Sequence, residues 1–237
     1  MNSITTQATQ LFTTTFEKAI EDAGGDQALK TTGRATKKNP NARDREYYLS
    51  EGPLWVKAYV DFRRKNHDYR VLRLDDGRHA IEIDFQVEIP NTPASLRGFI
   101  DRVFINPDGE VLICDLKTGT SAQISSLQLA TYAYGLDKQY GITATKGVYY
   151  SAPDGKFSET FELSQFPYDY IERIVREAYD RVQADQLMPV PAFRCQFCNV
   201  RDHCYLFNPT VPRPDFRSDI DNPWDDIIEP HDLMGER

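Results

Sequence analysis

Two short runs decide the fold: Gly98-Phe99-Ile100-Asp101-Arg102-Val103 and Val111-Leu112-Ile113-Cys114-Asp115-Leu116-Lys117-Thr118-Gly119. Each reads as a mostly apolar strand, and Asn106-Pro107-Asp108-Gly109-Glu110 between them is turn chemistry. A hairpin centred on Asp108 sets Asp101 directly opposite Asp115. Lys117, two residues further on, faces the same side. Two carboxylates opposed on one sheet face repel each other, and ionised groups are costly among residues such as Phe99, Val103, Val111 and Ile113. Two readings follow: a solvated hairpin with scattered charges, or a divalent cation held between the acids with Lys117 beside it. The apolar flanks favour the second. Register decides the matter, since a slip by one residue would send the acids to opposite faces.

Outward from this hairpin the chain alternates helical and strand patterns. Residues 4–23 predict an amphipathic helix with Leu11, Phe12, Phe16 and Ile20 on one face, and 24–50 read as a loop. Glu51-Gly52-Pro53 opens a second helix through about Lys65, carrying Trp55, Val56, Tyr59 and Phe62. Ile81, Ile83, Phe85, Val87 and Ile89 alternate with Glu82, Asp84, Gln86 and Glu88, which is a two-faced strand. Strands over 97–105 and 111–117, a helix over 122–139, a hairpin over 145–151 and 157–163, and a helix over 166–186 complete the order. The expected fold is α/β, a mixed central sheet flanked by helices, followed by a cysteine knuckle at 195–204. Residues 1–207 read as one domain and 208–237 as an acidic, disordered tail. Gln128 and Tyr132 lie four apart on one helix face and reach back toward the strand ends.

The ordered set Gly98-Phe99-Ile100-Asp101-Arg102, Asp115-Leu116-Lys117-Thr118-Gly119 and Gln128-xxx-Tyr132 resembles the signature of the PD-(D/E)XK nucleases. More narrowly it resembles their RecB-like branch, which includes the nuclease domains of RecB and AddB and the Cas-type exonucleases. The resemblance runs from about Glu82 to Leu206. It implies a restriction-endonuclease-like core and metal-dependent hydrolysis of DNA phosphodiester bonds, most naturally by an exonuclease acting on ends or single strands in recombination, repair or phage DNA processing. Under it, Asp101, Asp115 and the Leu116 carbonyl bind Mg²⁺ or Mn²⁺. Lys117 orients the attacking water and stabilises charge on phosphate, while Gln128 and Tyr132 support the site or hold the strand. Many members add a His or Glu from the first helix. That helix has no histidine here; Glu17 or Glu21 is available, though a solvated helix face is the favoured reading, and Glu82 is another candidate, equally explained by an exposed strand face. The rivals are an inactive nuclease-fold scaffold and a structure-specific endonuclease.

The cysteines form a second constellation. Cys195, Cys198 and Cys204 give a C-x₂-C-x₅-C spacing that points to metal more than to packing. The family resemblance implies an iron–sulfur cluster completed by a cysteine near the N-terminus, but no cysteine precedes Cys114. The occupant stays open between a cluster with another fourth ligand, Zn²⁺ with His203, and no metal at all. Cys114, adjacent to Asp115, points to the other sheet face and reads as core.

Of the 237 residues 40% are hydrophobic and 27% charged, ordinary globular values. No apolar run is long enough to span a membrane, and Met1-Asn2-Ser3-Ile4-Thr5 opens no secretory signal, so the expected compartment is the cytoplasm. The net charge of −8 would argue against nucleic acid, but it is unevenly placed. Eight acids and three arginines fall in 208–237, a candidate protein-binding segment, and the first 207 residues are close to neutral. Arg63, Arg64, Lys65 and the stretch from Lys30 to Arg45 are candidate DNA contacts, with an exposed polar loop the default reading; Tyr149 or Tyr150 is a candidate base-stacking surface, with core packing the favoured reading for either.

Overall fold

The computed structural model describes residues 3–26, 44–119, 125–184, 186, 190, 192, 195, 198 and 200–211. The chain divides into two compact units, Met1–Glu172 and Arg173–Arg237, and the division falls inside the last long helix.

The first unit opens with helices α1 (Ser3–Asp22) and α2 (Arg45–Lys65). α2 begins six residues before the expected Glu51, because Asp44 caps it by accepting the Tyr47 N–H (2.9 Å). Pro53 sits within this helix. The ring of Phe12 on α1 meets Gly52, where a Cβ would fall 2.0 Å from it. Strands β1 (Arg70–Val71), β2 (Ile81–Glu88), β3 (Ser95–Ile105) and β4 (Val111–Lys117) follow. Then come α3 (Ser126–Tyr140), β5 (Lys146–Ser151), two short strands β6 (Lys156–Phe157) and β7 (Phe161–Glu162), and the start of α4 (Tyr168–Gln183). The second expected hairpin is thus broken into two-residue strands. Residues 122–124 of the expected third helix lie outside the described residues.

The sheet is mixed. β3 is its hub: β4 pairs antiparallel along one edge, and β2 and β1 pair antiparallel with successive stretches of the other. β4 pairs parallel with β5, the crossover being α3, and β5 is edged by β6 and β7. Such a sheet with helices packed on it is the expected architecture.

Two packings fix it. On one face Phe62 of α2 buries against Phe104, Leu112, Cys114, Val148, Tyr150 and Ala152, with Trp55, Tyr59 and Phe157 around the rim. At roughly 1.5–3 kcal/mol per large side chain removed from water, this cluster is a main source of stability. Elsewhere α3 lies close on the strands: Phe85 fills a notch between Gly98 and Gly135, where an added Cβ would fall 2.6 and 2.4 Å from the ring. One end of β2 departs from expectation. Ile83, Phe85 and Val87 are buried as the alternation requires, but Ile81 is 39% exposed. Glu82, between them, has φ +50°, and this left-handed residue breaks the pleat.

In the second unit α4 continues to Gln183, and a short 3₁₀ turn spans Arg201–His203. The tail beyond Val211 lies outside the described residues.

Candidate active site

The β3–β4 ladder pairs Ile105 with Val111, Phe104 with Leu112, Val103 with Ile113 and Arg102 with Cys114. This is the register centred on Asp108, and its next step sets Asp101 opposite Asp115. There the strands give way to a side-chain contact, in which the Leu116 N–H donates to Asp101 Oδ2 at 2.6 Å. That bond ties one acid to the backbone beside the other.

Asp115 is only 4% exposed. Lys117 Nζ stands 2.7 Å from its Oδ2 as an ion pair, and Gln128 Nε2 donates to its Oδ1 at 3.1 Å. The Gln128 carboxamide is oriented by its neighbours. Its amino group also donates to the Tyr132 hydroxyl (3.0 Å), and its carbonyl accepts from Lys117 Nζ (3.3 Å). Helix α3 thereby delivers two side chains, one turn apart, to the end of β4. The five residues Asp101, Asp115, Lys117, Gln128 and Tyr132 are brought together.

Sequence reasoning missed the part played by Tyr149. The parallel β4–β5 register places it beside Asp115. Its hydroxyl donates to the Ser125 carbonyl (2.7 Å), accepts the Ser125 N–H (3.1 Å) and lies 3.3 Å from Gln128 Oε1. The Lys117 ammonium sits 5.0 Å from its ring centroid, within cation–π range. Tyr149 pins the start of α3 and supports the lysine. Both Tyr149 and Tyr150 are buried, at 2% and 1%, so neither offers a surface for base stacking. A tyrosine beside an acid on the next strand leaves no sequence signal until the parallel register is known.

Electrostatics follow from burial. Burial pushes the Asp115 carboxyl above its ordinary range; the hydrogen bond and charge of Lys117 only partly offset this. Burial works against the Lys117 ammonium, but the hydrogen bond and charge of Asp115 outweigh it and raise its pKa. Asp115 must be ionised to take a cation, and the charged Lys117 beside it favours that form against the cost of burial. On the other edge of β3 the pairs Ile81–Arg102 and Ile83–Ile100 bracket Glu82 and Asp101. Burial and the Asp101 charge raise the Glu82 pKa, so Glu82 belongs to the electrostatics of the site. Glu17 instead pairs with Arg45 (3.9 Å), and Glu21 is exposed on α1.

The donors suit a hard cation. Two carboxylates and a backbone carbonyl are oxygen ligands of the kind Mg²⁺ and Mn²⁺ take. Asp115 Oδ2 is buried and, among the described residues, has no directed hydrogen bond beyond its ion pair, which leaves a lone pair for a metal. No group of three or more His, Cys, Asp or Glu side chains close enough to hold a metal occurs among the described residues. Two protein carboxylates with the remaining positions left to water is the usual economy of Mg²⁺.

Cys195, Cys198 and Cys204 are free thiols, and turns link them: the Cys198 N–H donates to the Cys195 carbonyl and the Arg201 N–H to the Cys198 carbonyl. They form no metal-binding group among the described residues. Cys114 is 2% exposed in the α2 cluster, and burial pushes its thiol up to about 12, so it is inert core. No described helix is long and apolar enough to cross a membrane.

The profile of the PD-(D/E)XK nuclease superfamily matches residues 6–205. No curated protein matches the chain significantly. Among solved structures, the crystal structure of SSO0001 is similar at 17% identity and a TM-score of 0.37, covering 71% of this chain and 74% of that one.

Proposed function

Because the chain belongs to the PD-(D/E)XK nuclease superfamily, we propose that it is a cation-dependent deoxyribonuclease of the RecB-like branch that removes nucleotides from DNA ends or single strands. The observation that carries this reading is the Asp115–Lys117 pair at 2.7 Å, cross-linked by Gln128 and set opposite Asp101. A fold gains little from burying an acid whose pKa that burial raises; a catalyst gains a place to put a cation and a fixed ammonium beside it.

Asp101, Asp115 and the Leu116 carbonyl would hold Mg²⁺ or Mn²⁺. A cation held by these groups would supply Lewis acidity toward the attacking water and the phosphate. Lys117 positions the attacking water and stabilises the charge that develops on the non-bridging oxygens. Gln128 holds Lys117 and Asp115 in one geometry, and Tyr132 and Tyr149 hold Gln128 and the start of α3. Glu82 adds a third negative charge beside Asp101 and helps recruit the cation. The cysteine triplet is proposed as a separate structural site, for an iron–sulfur cluster or Zn²⁺.

The test incubates purified protein with end-labelled single-stranded, duplex and closed circular DNA, in Mg²⁺, Mn²⁺ or EDTA. Cleavage is expected with either cation and not in EDTA, with circles left intact. Asp115→Ala and Lys117→Ala are each expected to cost at least about 10²–10³-fold, the scale of losing one charge-stabilising group. Nicked circles would replace the exonuclease by an endonuclease, and DNA binding without cleavage would make the chain a binding subunit.

A further inference from the structure

Both oxygens of the buried Asp115 carboxylate are engaged. Gln128 Nε2 donates to Oδ1 at 3.1 Å, and the Lys117 ammonium stands 2.7 Å from Oδ2. The second contact is carried by charge, since Oδ2 has no directed hydrogen bond among the described residues. The directed bond of the ammonium runs to Gln128 Oε1, at 3.3 Å, and the Tyr149 ring centroid lies 5.0 Å from it. Lys117 therefore stands among three electron-rich groups, one charged and two neutral. Its backbone is fixed: it pairs with Ser151 in the parallel ladder, and its carbonyl accepts the Ala152 N–H at 2.8 Å. Its four-carbon stem is flexible. The Lys117 side chain is 23% exposed, against 5% for Asp115, so the lysine has room to turn where the acid has none.

A divalent cation on Asp115 needs the oxygen that this ammonium faces. Oδ1 is turned to the Gln128 amide, so cation and lysine meet at Oδ2, where two positive groups on one oxygen repel. We propose that Lys117 and the cation exchange at Asp115 Oδ2, and that Gln128 Oε1 with the Tyr149 ring face forms the seat that takes the ammonium as it yields. The proposal deepens the nuclease reading and rests on it; Gln128 and Tyr149 become positioning residues for Lys117. The seat suits this task chemically. A carboxamide oxygen and an aromatic face both attract an ammonium, yet neither carries a net charge, so neither holds it as a second carboxylate would. Both are themselves fixed. The Tyr149 hydroxyl binds the N–H and the C=O of Ser125, the residue that opens α3 and whose own side chain makes no cap. Gln128 sits one turn into that helix, and its amide also meets Tyr132. With the ammonium on Oδ2, the buried carboxylate has its counter-charge. With the ammonium on the seat, Oδ2 is open to the cation and the lysine stays available to charge that develops on phosphate.

The experiment titrates Mn²⁺ into the protein at pH 8 without DNA and follows the unbound ion by its EPR signal, which separates binding from cleavage. Lys117→Met, of similar length and uncharged, is expected to bind Mn²⁺ at least about tenfold more tightly than wild type, because a like charge leaves the cation's neighbourhood. Tyr149→Leu, which removes the ring, is expected to weaken binding about threefold, the scale of one cation–π contact. Tyr149→Phe, which keeps the ring, should restore it. In the Lys117→Met background the Tyr149→Leu penalty should vanish, since no ammonium is left to seat. Gln128→Leu, compared in the same two backgrounds, tests the seat where Tyr149→Leu fails to fold. Lys117→Met binding no tighter than wild type overturns the exchange, and so does binding that Asp115→Asn leaves unchanged. A seat penalty that persists without the lysine marks a merely structural role and overturns the seat. Wild-type affinity in both seat variants does the same, because the ammonium then yields to solvent. Cation-dependent cleavage without tighter binding in Lys117→Met sinks the exchange alone. Tighter binding in Lys117→Met without cleavage by wild type under any cation sinks the nuclease reading and leaves the exchange standing.

Discussion

Strands β4 and β5 present two unlike faces built from alternating residues. On one, Cys114, Val148 and Tyr150 bury against Phe62 in an apolar cluster. On the other, Asp115, Lys117 and Tyr149 form a charged network with α3. The first face gains free energy from every atom it removes from water. The second gives some back, because it holds a carboxylate where burial disfavours its charge. The stable face anchors the strands, and the costly face is tolerable because it is anchored. One backbone register serves both, so a shift by one residue would destroy the core and the site together.

The largest effect should come from the apolar face. Phe62→Ala removes the ring that touches Tyr150 and Phe157, with centroids at 4.9 and 4.7 Å. A loss of about 3–5 kcal/mol is expected, read as the denaturation midpoint in urea. Any cleavage activity should persist at temperatures where the variant stays folded, since Phe62 touches no residue of the site. Lost activity in a folded variant would mean that the two faces are not separable.

The contrast was only partly legible in the sequence. Asp101, Asp115 and Lys117 could be placed on one face because a Pro-Asp-Gly turn fixes the hairpin's centre and parity does the rest. Gln128 and Tyr132 were visible as an i,i+4 pair. Cys114 fell to the core face by the same parity. Glu82 was ambiguous because alternation describes a regular strand, and its positive φ is a local departure that only coordinates reveal. Tyr149 reads more readily as packing than as stacking, and its burial agrees, but its bonds to Ser125 are not legible for a different reason. Its partners arrive through a parallel pairing and a crossover helix, contacts separated by many residues that no local pattern encodes. The exposed Phe99 was read as one more apolar strand residue, because periodicity says which residues alternate and not which face stays open.

A smaller effect of opposite sign is expected on the charged face. Asp115→Asn removes the buried charge but keeps an oxygen that can accept from Gln128. Activity should collapse, while stability near pH 8 rises slightly, because an uncharged amide avoids the burial cost that raises the Asp115 pKa. The sign follows from linkage. A carboxyl whose folded pKa is raised contributes stability that is full below its unfolded pKa and lost as pH rises through its folded pKa. The variant's advantage should therefore be present at pH 8 and disappear toward pH 4. Lys117 tempers the gain, because its own raised pKa records the favourable pair that the substitution removes. A variant less stable than wild type at pH 8 would show that the pair, and not the burial, dominates.

The cation should relieve the same strain without mutation, which makes it the finest probe of the contrast. A ligand that binds only the folded state stabilises by RT ln(1 + [L]/Kd), about 1.4 kcal/mol at ten times Kd. Mn²⁺ or Mg²⁺ should thus raise the melting temperature of wild type by a few degrees. Since Asp115 must lose its proton to act as a ligand, the shift should shrink as pH falls through its raised pKa. Asp115→Asn should show little or none of it, whereas Tyr150→Phe on the opposite face should show all of it. Tyr150 has a buried hydroxyl without a hydrogen-bond partner among the described residues, so its loss costs the fold little and tests whether a change on the core face leaves the site intact. Equal shifts in wild type and Asp115→Asn would place the cation somewhere other than between the two acids.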